Sequence, residues 1–147
     1  KMAKTSSTPG RTRLVNYFNI NNKFYLVDLP GYGYHKASKS IANSWDVVMN
    51  DYFTDNEKLK LVFVLLDSRL QPTELDKQML DYLAEHEIPA IIILTKVDKI
   101  SRSELGLNIS KISKEIRFNK DLIVATSVLK KQGVERIEAL IGDYLED

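Results

Sequence analysis

Two uninterrupted apolar runs, residues 61–66 and 90–94, constrain the fold of this chain more than any other feature of its sequence. Each run consists of aliphatic and aromatic residues without polar residues at alternate positions. This pattern is typical of central strands in a parallel sheet, because helices cover both faces of such a strand. Residues 122–125 form a third, shorter run. Helical periodicity between the runs completes an alternation of strands and helices, which predicts an α/β fold with a mostly parallel sheet.

Four segments have the apolar periodicity of amphipathic helices. They are residues 41–53, residues 73–86, a span with Leu105, Ile109, Ile112 and Ile116 on one face, and a last segment with Val134, Ile137, Leu140 and Ile141. Thr73 is predicted to cap the second segment. Closer to the N-terminus, residues 14–20 and 24–27 flank an Asn-Asn turn signal, which predicts one antiparallel hairpin.

The composition excludes several classes of function. With 147 residues and 44% hydrophobic content, the chain is predicted to form a single compact domain over residues 1–147. Its net charge of +1 provides no overall attraction to DNA or to an anionic membrane, so we expect neither as a partner, and we expect a monomer. The absence of cysteine excludes disulfides and thiolate metal sites and is consistent with a cytoplasmic protein. The apolar runs are also far shorter than the roughly 20 residues that span a bilayer.

The first polar motif follows the hairpin and consists of Asp28, Leu29, Pro30 and Gly31. A carboxylate at a strand end can hold a water molecule of Mg²⁺, and the N–H of a glycine three residues later can meet a phosphate. The same tetrapeptide is also common as a simple turn. In open α/β sheets the ligand lies beyond the carboxyl ends of the strands. We therefore expect four residues to meet at one edge of the sheet: Asp28, Asp67, Thr95 and Thr126.

The second polar motif, Thr95-Lys96-Val97-Asp98, directly follows an apolar run. The carboxylate of Asp98 can accept hydrogen bonds from N1–H and from the exocyclic amine of guanine, and the stem of Lys96 can lie over the ring. Adenine does not present that pair of donors, so the motif predicts guanine selectivity. Taken alone, the tetrapeptide is also compatible with a solvated loop between a strand and a helix.

A third short segment, Ala125-Thr126-Ser127, ends the last apolar run. Its backbone N–H groups and a small side chain would contact the O6 atom of guanine. Small residues are also simply tolerated at the end of a strand.

Residues 5–12 are rich in hydroxyl-bearing and turn-forming residues. They form either a mobile loop or a switch segment whose Thr12 binds Mg²⁺ when a γ-phosphate is present. A basic cluster lies around one predicted helix and either faces ribosomal RNA or forms a solvated helix face. Its members are Lys96, Lys99, Arg102, Lys111, Lys114, Arg117 and Lys120, against Asp98, Glu104 and Glu115.

The order of these motifs resembles the EngB (YsxC/YihA) family of bacterial GTPases, within the TrmE-Era-EngA-EngB superfamily. The similarity runs nearly end to end and rests on Thr-Ser-Ser-Thr-Pro-Gly-x-Thr from residue 5, Asp-Leu-Pro-Gly-Tyr-Gly-Tyr from residue 28 and Thr-Lys-Val-Asp from residue 95. The resemblance implies a Ras-like P-loop NTPase fold of three layers that binds GTP and GDP with Mg²⁺ and hydrolyses GTP to GDP and phosphate. It also implies a role in assembly of the large ribosomal subunit, linked to normal cell division and septation.

The resemblance also assigns residues to the nucleotide site by position. Thr12 would be a ligand of Mg²⁺, and Asp28 would bind the same ion through water. Tyr32 stands where Ras-like enzymes place the glutamine that orients water, so no catalytic residue is assigned, and we expect slow hydrolysis that a ribosomal partner accelerates. The nucleotide-binding residues implied are Gly10, Arg11, Thr12, Arg13, Leu14, Asp28, Leu29, Pro30, Gly31, Thr95, Lys96, Val97, Asp98, Ala125, Thr126 and Ser127.

The chain departs from the family because it contains no Gly-x-x-x-x-Gly-Lys followed by Ser or Thr, the loop that surrounds the phosphates. Lys1 aligns just after the first helix of the family, so we expect a preceding segment with the first strand, the phosphate loop and that helix. Without this loop we do not expect tight GTP binding by these 147 residues. The alternatives are a nucleotide-independent platform for RNA or protein, and a GTPase of the Era or EngA type that acts on another ribosomal target.

Overall fold

The computed structural model of the chain describes residues 2–7, 15–29, 31 and 49–146. These residues belong to two compact units, Lys1–Lys58 and Leu59–Asp147. The first unit contains an antiparallel sheet, and the second contains a parallel sheet with helices. The mixed α/β architecture is the one that the sequence predicts.

The first unit contains a three-stranded sheet in the order β1-β2-β3. Its strands are β1 (Met2–Ser7), β2 (Asn16–Ile20) and β3 (Phe24–Asp28). The predicted hairpin is confirmed, because β2 and β3 pair antiparallel along their full length, with Asn16 opposite Asp28. The turn residues Asn21 and Asn22 have φ of 55° and 58°, and asparagine tolerates positive φ better than most residues.

Strand β1 is not predicted from the sequence, and its pairing with β2 corrects two expectations. The sheet contains a second antiparallel pairing besides the hairpin, and Thr5, Ser6 and Ser7 belong to a strand rather than to a loop. A hairpin alone would leave unpaired N–H and C=O groups along one edge of β2. Hydrogen bonding to that edge outweighs the turn preference of serine, and threonine is well suited to a strand.

The predicted helix over residues 41–53 is described only at its end. Residues 41–48 lie outside the described part of the chain, and Met49–Phe53 form a π-type helical turn. Tyr52 and Phe53 are buried, and their rings meet edge to face with centroids 5.3 Å apart. The last two residues of the segment therefore contribute to the core.

The second unit contains a three-stranded parallel sheet in the order β4-β5-β6, which confirms the strands predicted from the apolar runs. Its strands are β4 (Val62–Asp67), β5 (Ala90–Thr95) and β6 (Ile123–Ala125). Its helices are α1 (Glu74–Glu85), α2 (Arg102–Ile116) and α3 (Val134–Leu145), and 3₁₀ turns occupy Val97–Lys99 and Lys120–Leu122. Among the helices described, none combines the length and the hydropathy that a bilayer-spanning segment requires.

Capping residues determine where the helices begin. Thr73 caps α1 as predicted: its Oγ1 accepts a hydrogen bond from the Asp76 N–H (3.1 Å), and Asp76 Oδ2 accepts one from the Thr73 N–H (2.7 Å). Ser101 caps α2, because its Oγ accepts from the Glu104 N–H (3.1 Å). Each cap satisfies an N–H that the first turn of a helix leaves unpaired, which fixes where the preceding loop ends.

Strand β5 forms the centre of the core in the second unit. Ile91 and Leu94 are fully buried, and Ile91 packs with Val124 of β6 and Leu140 of α3. Leu65 of β4, in contrast, is 62% exposed. The expectation that both faces of β4 are covered is therefore wrong at Leu65, because a strand at the end of the sheet order has fewer neighbouring side chains to cover it.

Candidate functional site

Polar residues lie at the carboxyl ends of all three parallel strands, at the same edge of the sheet. Asp67 ends β4 and pairs in register with Thr95 at the end of β5. The Ser68 N–H donates to the Thr95 carbonyl (3.0 Å), and the Thr126 N–H, just beyond β6, donates to the Leu94 carbonyl (2.8 Å). The predicted meeting of four residues at one edge is therefore confirmed for Asp67, Thr95 and Thr126, whereas for Asp28, which belongs to the first unit, it stays a prediction.

A buried valine holds the loop after β5 against β6. Val97 is 5% exposed, and its N–H donates to the Thr126 carbonyl (3.1 Å). Lys96, which precedes it, has left-handed backbone angles (φ 60°, ψ 36°) and an exposed side chain. Asp98, which follows it, lies in the 3₁₀ turn. Anchoring of Val97 therefore fixes one basic and one acidic side chain at this edge.

The carboxylate of Asp98 is oriented by Ser127. Ser127 Oγ donates to Asp98 Oδ1 (2.6 Å) and accepts from the Lys130 N–H (3.0 Å), and this serine is 1% exposed. The hydrogen bond from Ser127 is the main reason why the pKa of Asp98 lies below its ordinary value. The carboxylate is therefore charged at neutral pH and held in one orientation. A group that accepts hydrogen bonds from two adjacent N–H groups of a purine needs both properties.

The loop over residues 127–132 is closed by its own backbone. The Ser127 N–H donates to the Gln132 carbonyl (3.1 Å), and the Gln132 N–H donates back to the Ser127 carbonyl (3.0 Å). The N–H groups of Thr126 and Ser127 are thus engaged within the protein. The next N–H, that of Val128, has no acceptor in the described part of the chain, and Val128 is 96% exposed. The sequence alone does not point to Val128, because the spacing of residues does not show which N–H groups a loop uses internally.

Gly133 ends this loop in a conformation that other residues rarely adopt. Its φ is +89°, in the left-handed region. A Cβ at this position would lie 2.5 Å from the Ala125 carbonyl oxygen and 2.9 Å from Thr126 Cγ2. The close approach of the Gly133 backbone therefore helps to set the position of the predicted base-contacting residues.

A second charged group lies beside Lys96. Arg69 Nε donates to Asp67 Oδ1 (3.0 Å), Arg69 Nη2 donates to Asp67 Oδ2 (2.8 Å), and the Arg69 N–H also donates to Oδ1 (3.0 Å). Lys96 Nζ lies 3.6 Å from Asp67 Oδ2. The side-chain hydrogen bond from Arg69 is the main cause that holds the pKa of the Asp67 carboxyl well below its usual range. Sequence reasoning missed Arg69, although the Asp-x-Arg spacing signals that the two side chains can meet.

The phosphate-side prediction falls partly outside the described residues, which exclude Gly10, Arg11, Thr12, Arg13, Leu14 and Pro30. Asp28 and Gly31 are exposed, and Leu29 is half-buried. Within the ranges that the structure describes, no three histidine, aspartate or glutamate side chains cluster so that they could hold a metal ion. A single exposed carboxylate fits Mg²⁺ held through water, because this ion retains several water molecules in proteins. The metal role of Asp28 stays a prediction.

Comparison with known sequences identifies close relatives. A family model described as 50S ribosome-binding GTPase matches residues 1–96. The probable GTP-binding protein EngB of Clostridium kluyveri is 46% identical over 149 residues, which cover 98% of this chain and 76% of that protein. The probable GTP-binding protein EngB of Mesoplasma florum is 46% identical over 144 residues, which cover 96% of this chain and 73% of that protein.

Solved structures share the fold. A crystal structure of a probable GTP-binding protein EngB superposes with a TM-score of 0.72 over 82% of this chain and 76% of its own, at 18% identity. A variant of Era from Aquifex aeolicus, bound to GDP and AlF4⁻, superposes with a TM-score of 0.67 over 100% of this chain and 50% of its own, at 22% identity. At these identities the likeness concerns the fold, and it confirms the predicted fold class.

Proposed function

The chain belongs to the EngB family of GTP-binding proteins, and on that premise we propose that it is a GTPase switch that acts in assembly of the large ribosomal subunit. Binding of GTP and its hydrolysis to GDP follow from membership of this family. The observation that carries guanine recognition is the hydrogen bond from Ser127 to Asp98, because it orients a charged carboxylate at the edge of the sheet.

The guanine base is proposed to lie against the loop that follows β5. Asp98 accepts hydrogen bonds from N1–H and from the exocyclic amine, while the stem of Lys96 covers one face of the ring. Val97 keeps both residues in place through its buried side chain and the hydrogen bond from its N–H to the Thr126 carbonyl. The backbone of residues 125–127 lies next to the O6 atom, and because the N–H groups of Thr126 and Ser127 are engaged within the protein, the adjoining Val128 N–H is proposed to donate to O6. Adenine would place an acceptor, N1, opposite the Asp98 carboxylate and would therefore be rejected.

The phosphates are proposed to lie on the residues that the family resemblance assigns to them. Residues 10–14 contact phosphate oxygens, with Thr12 as a ligand of Mg²⁺, and the Gly31 N–H meets the γ-phosphate. Asp28 binds a water molecule of the same ion, and the exposure of its carboxylate at the end of β3 supports this role. When bound, Mg²⁺ would neutralise charge on the phosphate oxygens during hydrolysis. No residue is assigned to activate water, and we propose that a ribosomal partner accelerates the slow reaction.

The large ribosomal subunit is the proposed partner, in line with the description of the matching family model as a 50S ribosome-binding GTPase. Residues 96–120 carry seven basic side chains against three acidic ones, whereas the whole chain has a net charge of +1. Lys111 and Lys114 of α2 are exposed. This basic segment is therefore proposed to contact rRNA phosphates. We also propose that the protein is a cytoplasmic monomer with a role in cell division and septation.

Guanine-selective binding is the primary test. Protein expressed from the complete reading frame is titrated with a fluorescent GDP analogue and challenged with GDP, GTP and ATP. We expect competition by GDP and GTP but not by ATP. Asp98→Asn is expected to lose guanine selectivity and to gain affinity for xanthine nucleotides, because asparagine can donate to the C2 carbonyl that replaces the amine. Folded protein that binds no nucleotide would instead favour a nucleotide-independent platform.

Co-sedimentation with isolated ribosomal subunits tests the partner. We expect the protein loaded with a GTP analogue to pellet with large subunits, and less so when loaded with GDP. Reversing two charges on α2, Lys111→Glu with Lys114→Glu, is expected to reduce this binding. The matched control reverses two exposed lysines outside the basic segment, Lys58→Glu with Lys60→Glu, and is expected to bind normally. Preference for the small subunit would favour a function of the Era type.

A further inference from the structure

The loop of residues 95–98, to which the guanine base is proposed to bind, is called the guanine loop below. Asp67 and Arg69 lie beside this loop but outside the residues assigned to the nucleotide. Arg69 engages both carboxylate oxygens of Asp67, at 3.0 and 2.8 Å, and its own backbone N–H adds a third hydrogen bond at 3.0 Å. The Asp67 side chain is 17% exposed. A guanidinium that binds through two parallel bonds fixes the orientation of a carboxylate as well as its charge. Asp67 is therefore held in one orientation before any ligand binds.

The backbone connects this carboxylate to the guanine loop. Asp67 pairs in register with Thr95, and the Ser68 N–H donates to the Thr95 carbonyl (3.0 Å). Asn108 of α2 donates through its side chain to the Ser68 carbonyl (2.9 Å), so this turn is held by both a strand and a helix. Lys96 is the next residue after Thr95, and its Nζ lies 3.6 Å from Asp67 Oδ2.

We propose that Asp67, oriented by Arg69, is a positioning residue that holds the ammonium of Lys96 towards β4 and so lays the lysine stem along the surface that receives the guanine ring. This inference rests on the proposed guanine-nucleotide binding. A lysine side chain has many rotamers and loses freedom when a base packs against it. Restraint of its charged end before the ligand arrives lowers that cost, and pre-organisation of this kind raises affinity.

Stabilisation of the fold alone is a poor explanation for the contacts among Asp67, Arg69 and Lys96, which form one charged network. The Arg69 side chain is 45% exposed and the Lys96 side chain is 57% exposed. Ion pairs with such access to water contribute little to the stability of a fold. The consequence of the network should therefore appear in nucleotide affinity, through Lys96, more than in the free energy of unfolding.

A double-mutant cycle in GDP affinity tests this proposal, with protein expressed from the complete reading frame. The variants are Asp67→Asn, Lys96→Met and the two together, and Asp81→Asn is the control because it removes the same charge from an exposed position on α1. We expect Asp67→Asn to weaken GDP binding about two- to fivefold, the range for an accessible ion pair. In the Lys96→Met background the same substitution is expected to have no further effect, and Asp81→Asn is expected to bind like the wild type.

A loss of affinity that disappears in the Lys96→Met background supports the positioning role. An equal loss in both backgrounds would overturn it, because Asp67 would then act through another group, and so would unchanged affinity in folded Asp67→Asn. Wild-type protein that binds no GDP would refute the proposed function itself, which separates the two failures. If Asp67→Asn melts below the assay temperature, Asp67→Glu takes its place, because it keeps the charge but displaces the carboxylate, and the same dependence on Lys96 is expected.

Discussion

The same substitution, glycine to alanine, is expected to change stability in opposite directions at different positions of the second unit. At Gly133, φ is +89° and the new Cβ would lie 2.5 Å from the Ala125 carbonyl oxygen. The left-handed conformation costs alanine about 1–2 kcal/mol, and relief of the clash by movement of the loop or of β6 adds about 1–3 kcal/mol. We therefore expect Gly133→Ala to lower the free energy of unfolding by about 2–5 kcal/mol.

Gly106 provides the matched control. It lies in α2, and a Cβ there would meet nothing within 4 Å. Gly106→Ala is therefore expected to raise the free energy of unfolding by about 1 kcal/mol, because alanine loses less backbone entropy in a helix. Gly142 of α3 has equally open surroundings and should respond in the same direction.

Urea denaturation followed by circular dichroism measures the changes in the free energy of unfolding, and a thermal melt measures the Tm. A GDP titration measures the effect of each substitution on the site. Gly133→Ala is expected to lower the Tm by at least about 4 °C and to weaken GDP binding, because it displaces residues 125–127. Gly106→Ala is expected to bind GDP like the wild type. Gly133→Ala protein as stable as the wild type would refute the argument from conformation and close approach.

Other single side chains lead to predictions of their own. Ser127→Ala is expected to raise the pKa of Asp98, because it removes the main hydrogen bond that lowers it, and to weaken GDP binding most at acidic pH; an NMR titration that leaves this pKa unchanged would contradict the assignment. Leu140→Ala is expected to lower the free energy of unfolding by about 2–5 kcal/mol, because it opens a cavity against β5 and β6, and a loss below about 1 kcal/mol in urea would mean that α3 packs loosely there. The pKa of Asp67 is lower in the folded state than in the unfolded state, so its ionised form stabilises the fold at pH values above the ordinary aspartate pKa. This contribution is lost as the pH falls through the lower pKa of the folded state. Because Arg69 and Lys96 are accessible to water, this contribution is small, so Asp67→Asn should flatten the decline of Tm on acidification only slightly. A large drop of Tm in this variant at neutral pH would contradict the reasoning.

Elements that depend on neighbouring residues are predictable from this sequence. The three apolar runs correspond to β4, β5 and β6, and Thr73 caps α1, because periodicity and capping are determined within a few residues. Features that depend on pairing between residues distant in the sequence cannot be predicted from local patterns. Strand β1 forms because it meets the edge of β2, and Leu65 is exposed because its strand lies at the end of the sheet order.

The candidate site also combines features that local sequence patterns predict with features that they do not. The meeting of Asp67, Thr95 and Thr126 follows from parallel strands, whose carboxyl ends share one edge. The hydrogen bond from Ser127 to Asp98, in contrast, joins residues 29 positions apart, and no local pattern indicates it. The location of the proposed guanine site is therefore predictable from the sequence, whereas the orientation of the Asp98 carboxylate depends on a contact between distant residues.

The pairing of β5 on both sides has a consequence for how this protein can vary in length during evolution. Ala90–Thr95 pairs with β4 along its whole length and with β6 through residues 92–94. Residues 91–94 are all buried, so both faces of β5 are packed. Because side chains alternate between the two faces of a strand, insertion or deletion of one residue here would move the following buried side chains to the opposite face. It would also shift the guanine loop against both neighbouring strands at once. Insertions and deletions among natural relatives are therefore expected to avoid β5 and to accumulate in connections such as residues 117–122.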